Sequence, residues 1–175
     1  MCAEKATEGK KPAVSVVMGS DSDLPRMESC LETLREFGVE FEVEVISAHR
    51  TPDAARDFAR AAEGRGVRVI IAAAGGAAHL AGVLASLSVL PVIGVPIASS
   101  SLQGVDALYS TVQMPPGVPV ATVGIDASKN AAILAVQMLA TADPALREKL
   151  HAFKSSLAGS VREKSRKLKE KLAAR

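Results

Sequence analysis

The sequence predicts an α/β domain, a parallel sheet with helices packed on both of its faces. Three observations predict it. Short runs rich in Val, Ile and Ala recur four times within the first hundred residues, and three of the four are apolar at successive positions instead of alternating, as strands buried on both faces are. Between them lie segments with apolar residues at helical spacing, opened by Pro or closed by Gly. A length of 175 residues with 48% apolar and 23% charged side chains suits one domain with a full core and excludes disorder of the whole chain.

Val14-Ser-Val-Val-Met18 is the first strand, and Gly19-Ser-Asp-Ser-Asp23 is the turn after it. Asp23 is expected to cap the helix that begins at Leu24-Pro25. Leu24, Met27, Leu31, Leu34 and Phe37 share one face of that helix, and Gly38 stops it. Val39 to Ile46 is the second strand. Ser47-Ala-His-Arg-Thr-Pro52 turns into a second helix, with Thr51 expected as its cap and Pro52 at its first position, and this helix runs to Gly64. Val67 to Ala72 is the third strand. Gly75-Gly76 break it and open a helix through Ser88. Leu90 to Val95, between Pro91 and Pro96, is the fourth strand.

After Pro96 the rhythm changes. A Ser-rich loop leads to a helix around Gly104 to Gln113, then to Met114-Pro-Pro-Gly117. Val118 to Val123 is the fifth strand, and Ser128 to Ala140 a further helix. The last helix starts after Asp143-Pro144 and carries a stripe of Leu146, Leu150, Phe153, Leu157 and Val161. Leu168 and Leu172 extend the stripe into a basic end that is expected to fray. Residues 1–12 read as a flexible tail, 13–160 as the single domain and 161–175 as a basic helix end.

Charge and composition narrow the function. The formal charge is +2, but residues 160–175 hold net +5 and the rest net −3. A nucleic-acid protein carries its basic face on the folded body, and aromatics at 3% with no Trp give no stacking platform; no nucleic-acid partner is expected. Cys2 and Cys30 have no metal or disulfide spacing. No run of 18 apolar residues spans a membrane, and Met1 to Pro12 has no apolar signal core. The expected setting is cytoplasmic.

In an open parallel sheet, ligands bind outside the carboxyl ends of the strands where strand order reverses. The turns after strands one to three therefore matter most. The first is Gly- and Ser-rich and leads into a helix, a place where backbone N–H groups and hydroxyls can face an anion. It has neither a Walker ending nor a GxGxxG pattern. Asp21 and Asp23 would repel phosphate, and Asp23 suits a sugar hydroxyl better; turn chemistry alone also explains the segment. His49 at a strand end is a candidate general acid and base, and Arg50 a candidate anion clamp; a capping His and a surface ion pair are the alternatives. Gly75-Gly76 admit a ligand close to the backbone, with His79 expected one turn into the following helix, where a packed, hydrogen-bonded role is equally open. His49 and His79 lack a third metal ligand. No Gly-x-Ser-x-Gly elbow exists, and Cys30 falls on the apolar side of a helix. His151 reads as a surface residue.

Seven stretches in order carry a resemblance: Met18-Gly-Ser-Asp-Ser-Asp23, Ser47-Ala-His-Arg-Thr-Pro52, Gly75-Gly-Ala-Ala-His-Leu80, Leu90-Pro-Val-Ile-Gly-Val-Pro96, Gly104-Val-Asp106, Val112-Gln-Met-Pro115 and Gly117-Val-Pro-Val-Ala121. Over residues 13 to 140 the chain resembles the PurE family of purine biosynthesis, in its N5-carboxyaminoimidazole ribonucleotide mutase class. The resemblance implies a flavodoxin-like three-layer α/β/α sandwich with a central parallel sheet and a C-terminal helix. It also implies a homo-octamer, a small ribonucleotide substrate, and no metal, nucleotide or biotin cofactor. By position, Ser20, Asp23 and Arg50 bind substrate, His49 is the acid/base group, and Ser47, Gly75, Gly76, His79 and Leu80 line the site. The segment from Ser99 to Gly117 is expected to be lent by a neighbouring subunit as a cover. Two places depart from the family pattern: Ala-Gly-Ala-Gly-Gly reads Ala72-Ala-Ala-Gly-Gly76 here, and His-Leu-Pro-Gly reads His79-Leu-Ala-Gly82.

Two alternatives remain. A second class of the same family carboxylates aminoimidazole ribonucleotide directly, with Lys in place of Arg50 and without the His79 motif, so His49-Arg50 and Gly75 to His79 favour the mutase. A flavodoxin-like domain that only binds a phosphate ligand or FMN is the other, since fold does not set function. Tyr109 and four Phe offer little for a flavin ring to stack on.

Overall fold

The structure, a computed structural model, describes residues 11–173. Cys2 and most of the expected N-terminal tail lie outside the described residues. The elements in chain order are β1 (Val14–Met18), α1 (Leu24–Phe37), β2 (Phe41–Val45), α2 (Pro52–Arg65), β3 (Val69–Gly75), α3 (Leu80–Leu87), β4 (Val92–Ile97), α4 (Val105–Val112), β5 (Ala121–Thr122), α5 (Ser128–Ala140) and α6 (Pro144–Ala173). The strands pair in parallel in the order β2-β1-β3-β4-β5. That is the doubly wound, flavodoxin-like order, with the switch between β1 and β3.

Two apolar layers hold the sheet. Val14, Val16 and Met18 of β1, Val69, Ile71 and Ala73 of β3, and Ile93, Val95 and Ile97 of β4 face α1 and α5. Val17, Ile70, Ala72 and Val92 face α2 and α3 on the other side. The side chains of a strand alternate between faces, so continuous apolar runs serve both layers. Helix α1 buries Met27, Cys30, Leu31, Leu34 and Phe37, whereas Leu24 stays exposed. It ends as expected: Gly38, at φ +70°, donates its N–H to the Arg35 carbonyl and Val39 donates to that of Leu34, the Schellman pattern.

The structure corrects several expectations. Strand β3 runs three residues beyond Ala72, through Gly75, so α3 begins only at Leu80. The fifth strand shrinks to Ala121–Thr122, because Val118 and Pro119 precede any pairing and Pro119 has no N–H to give. The last helix, expected to fray in its basic end, is continuous through Ala173. Leu146, Leu150 and Phe153 pack on the α1–α5 layer, while Leu157, Val161, Leu168 and Leu172 stay exposed along the projecting half. Three ion pairs of Arg166 and Lys167 with Glu163 and Glu170 support that half at helical spacing. No helix of the described residues is long and apolar enough to cross a membrane.

Candidate functional site

The carboxyl ends of β1 to β4 converge on one cavity of about 360 Å³. Its first wall is the turn after β1. Ser20 lies in extended backbone, and its Oγ accepts the Ser22 N–H at 3.3 Å and the Ser22 hydroxyl at 2.8 Å. Asp23 stands at the entry to α1, but its carboxylate caps no helix N–H, contrary to expectation. The residue is buried, and burial raises its carboxyl above the ordinary carboxylate range, opposed by the Ser20 backbone and the charge of Arg26. A carboxylate kept from water yet uncommitted to a cap is free to accept a ligand hydroxyl.

The second wall follows β2. Thr51 occupies the start of α2 without capping it. Its hydroxyl donates to the Ser47 carbonyl at 2.9 Å and accepts the Ser47 N–H at 3.1 Å. This closes the turn that presents His49 and Arg50. Arg50 Nε donates to Ser47 Oγ at 3.3 Å, and Nη2 donates to the Gly19 carbonyl at 3.2 Å. Among the described residues no carboxylate pairs with it, so the surface ion pair considered above is absent. The guanidinium is held between two walls with Nη1 left to donate to an anion.

The third wall follows β3. Gly75 has no alternative: a Cβ there would lie 1.7 Å from Ser99 Oγ and 3.1 Å from the Ile97 carbonyl oxygen. Gly76 and Ala78 are left-handed, at φ +60° and +46°. The Ala77 carbonyl accepts the Ser110 hydroxyl from α4. A non-glycine residue in this region carries backbone strain, which concentrates at functional sites. His79 therefore sits at the start of α3, not one turn inside it. Its Nδ1 lies 2.7 Å from His49 Nε2, with the rings edge to face at 4.7 Å between centroids. One of these nitrogens donates and the other accepts, so the pair shares a single N–H. Sequence reasoning brought both histidines to one edge but not to each other, because contact across 30 residues depends on the left-handed loop.

Ser20, Asp23, Ser47, His49, Arg50, Gly75, His79 and Leu80 all line the cavity; Gly76 does not. Gly19, Ser22, Ala48, Ala74, Ala78 and Ser99 line it as well. Ser99 was legible in principle, since Ala98-Ser-Ser-Ser101 follows β4 at the same sheet edge. Ser99, the first residue of the segment expected as a neighbour's cover, lines the cavity of its own chain. The two departures from the family pattern point away from the cavity: Ala73 is buried in the α1–α5 layer and Ala81 in the α2–α3 layer. Cys30 is buried too, and burial pushes its thiol up to about 12, so no thiolate nucleophile is available there. Among the described residues no group of three or more His, Cys, Asp or Glu is placed to hold a metal ion. His151 is exposed on α6.

Residues 13–160 match the AIR carboxylase family. The chain is 55% identical to the N5-carboxyaminoimidazole ribonucleotide mutase of Pyrococcus horikoshii over 163 residues, 93% of this chain and 92% of that one. It is 52% identical to the Thermotoga maritima mutase of the same name over 159 residues, 91% of this chain and 93% of that one. A crystal structure of Treponema denticola PurE superposes with a TM-score of 0.79 at 30% identity, covering 87% of this chain and 95% of that one.

Proposed function

The chain belongs to the AIR carboxylase family, and on that footing we propose that it acts in purine biosynthesis as a mutase converting N5-carboxyaminoimidazole ribonucleotide to 4-carboxy-5-aminoimidazole ribonucleotide. The observation that carries this reading is the cavity at the switch point. It gathers an acid/base pair, an anion clamp and a buried carboxylate around walls of Gly, Ala and Ser. Arg50 with the Ser20–Ser22 hydroxyls takes the phosphate, and Asp23 takes a ribose hydroxyl. Ser47 holds Arg50, Gly75 makes room for Ser99 in the cavity wall, and Leu80 closes the apolar side.

His49 supplies both proton transfers. The carbamate C–N bond breaks, its electron pair returns to the exocyclic nitrogen, and CO₂ is freed. His49 gives that nitrogen a proton and becomes a neutral base. Carbon 4 then attacks the trapped CO₂, and His49 removes the ring proton, which restores aromaticity and returns His49 to the protonated imidazolium from which it started. The bond from Nε2 to His79 fixes the His49 ring before substrate arrives, and Nε2 leaves it to exchange protons with the substrate. No step consumes an external acid, and a cavity narrow enough to retain CO₂ keeps the two half-steps coupled.

The homo-octamer is part of the same proposal. Leu102, Val105, Tyr109 and Val112 form an exposed apolar stripe on and before α4, and the projecting half of α6 carries another. Faces of this kind mark contact surfaces. Sedimentation at eight times the chain mass is the expected result. A cytoplasmic setting and the absence of a nucleic-acid partner belong to the proposal as well.

The test is an assay with two substrates. Purified protein receives N5-carboxyaminoimidazole ribonucleotide without ATP or added bicarbonate, and in parallel aminoimidazole ribonucleotide with bicarbonate at physiological concentration. Rapid product formation in the first sample alone is expected. Rapid formation in the second with the first unused would make the chain a direct carboxylase and overturn the reading.

A further inference from the structure

Asp126 lies outside the cavity, yet its carboxylate bonds two residues that stand close in sequence to the cavity-lining Ser99 and Asp23. Oδ1 accepts the Ala98 N–H at 3.0 Å, immediately before Ser99. Oδ2 accepts from Arg26 Nη1 at 2.5 Å, on the first turn of the helix that begins after Asp23. The bracket is anchored on both sides. The Asp126 N–H donates to the Pro96 carbonyl at 2.9 Å, and the Ser128 hydroxyl donates to the Arg26 carbonyl at 2.6 Å. Asp126 itself is left-handed, at φ +53°, as is Gln103, also at +53°, at the far end of the Ser99 loop. A strained carboxylate residue facing a strained loop, with both oxygens engaged, is a held geometry and not a chance surface contact.

We infer that Asp126 is a positioning residue that braces the Ser99 lip against the Asp23 lip and so fixes the width of the cavity mouth. The inference rests on the mutase reading for its consequence, since a mouth of fixed width keeps substrate seated and CO₂ enclosed. The Arg26–Asp126 pair is partly exposed, with 43% and 30% of the side chains accessible. An exposed pair adds little to global stability, so its effect belongs at the mouth and not in the fold.

The test compares Asp126→Ala, Asp126→Asn and Arg26→Met with the wild-type protein. The readouts are KM, the fraction of free aminoimidazole ribonucleotide released per product formed, and amide hydrogen exchange of residues 98–104. Asp126→Ala removes both bonds and is expected to raise KM on the order of tenfold, the scale of one charge-assisted hydrogen bond. Release of the free amine should rise with it, and exchange in 98–104 should speed up by a similar factor, while Tm moves by only a few degrees. Asp126→Asn keeps an acceptor for Ala98 and should recover most of the exchange protection. Arg26→Met should show about a threefold rise in KM. Unchanged coupling and unchanged exchange in a folded Asp126→Ala protein would overturn the inference. The exchange readout needs no turnover, so it tests the brace even if the wild-type protein fails the mutase assay, and that failure alone would overturn the mutase reading.

Discussion

His49 and Arg50 are neighbours in sequence to which the proposal gives separate tasks, and single substitutions should separate them. His49→Asn keeps the ring's approximate volume but removes the exchangeable base. It should preserve the fold and lower kcat by about 10²–10⁴, the usual span of acid/base catalysis; near-normal kcat by steady-state assay would remove His49 from the role. On the proposed reading Arg50 holds the phosphate end and not the reacting atoms, so Arg50→Ala should raise KM far more than it lowers kcat. Asp23 gives a pH-dependent case. Its carboxyl titrates above the ordinary range because it is buried, so the folded state holds the proton longer than the unfolded state does. Its contribution to stability is therefore fully present below the ordinary carboxylate value of 3.8 and is lost as pH rises through the raised value. Asp23→Asn should then raise Tm at pH 7 and lose that advantage near pH 3, while weakening substrate binding. Thermal melts across that range would show the crossover.

The strand-turn units explain why the fold was legible and part of the site was not. Val14 to Met18 and Leu90 to Val95 announced buried strands because apolar residues stand at adjacent positions and Ser15 is their one polar side chain, and Gly38 announced the end of α1 because the left-handed region closes that helix. The turn after β3 resisted reading. Gly75-Gly76 look like a strand breaker, but Gly75 stays in the strand because Ser99 occupies the space of its missing Cβ, and Ser99 is 24 residues away. The same distance problem hid the His49–His79 contact and the cavity role of Ser99. Asp23 and Thr51 stood where caps belong, yet their side chains serve the cavity and the turn instead, which propensity at a helix start cannot distinguish. The close approach at Gly75 is itself testable. Gly75→Ala should cost about 1–3 kcal/mol by overpacking and lower kcat/KM sharply, as Ser99 is driven from the wall. Adding Ser99→Gly should restore much of the Tm, measured by thermal unfolding; no rescue would show that the clash with the Ile97 carbonyl dominates.

At the scale of the whole molecule, a doubly wound sheet brings four strand ends to one edge, and the chemistry follows from what those ends carry. The exposed apolar residues on the projecting half of α6 and at α4 are the faces proposed for assembly, apart from the cavity proposed for the chemistry. The central claim is that one cavity moves a carboxylate within a single substrate molecule without letting it go. The most direct measurement uses N5-carboxyaminoimidazole ribonucleotide labelled with ¹³C in its carbamate, turned over in unlabelled bicarbonate, with the label in the product carboxylate read by mass spectrometry during the first turnovers. The account predicts that the product retains nearly all of the label. Product carrying carbon from the surrounding bicarbonate instead would contradict it, because the CO₂ would then have left the cavity before carbon 4 could capture it.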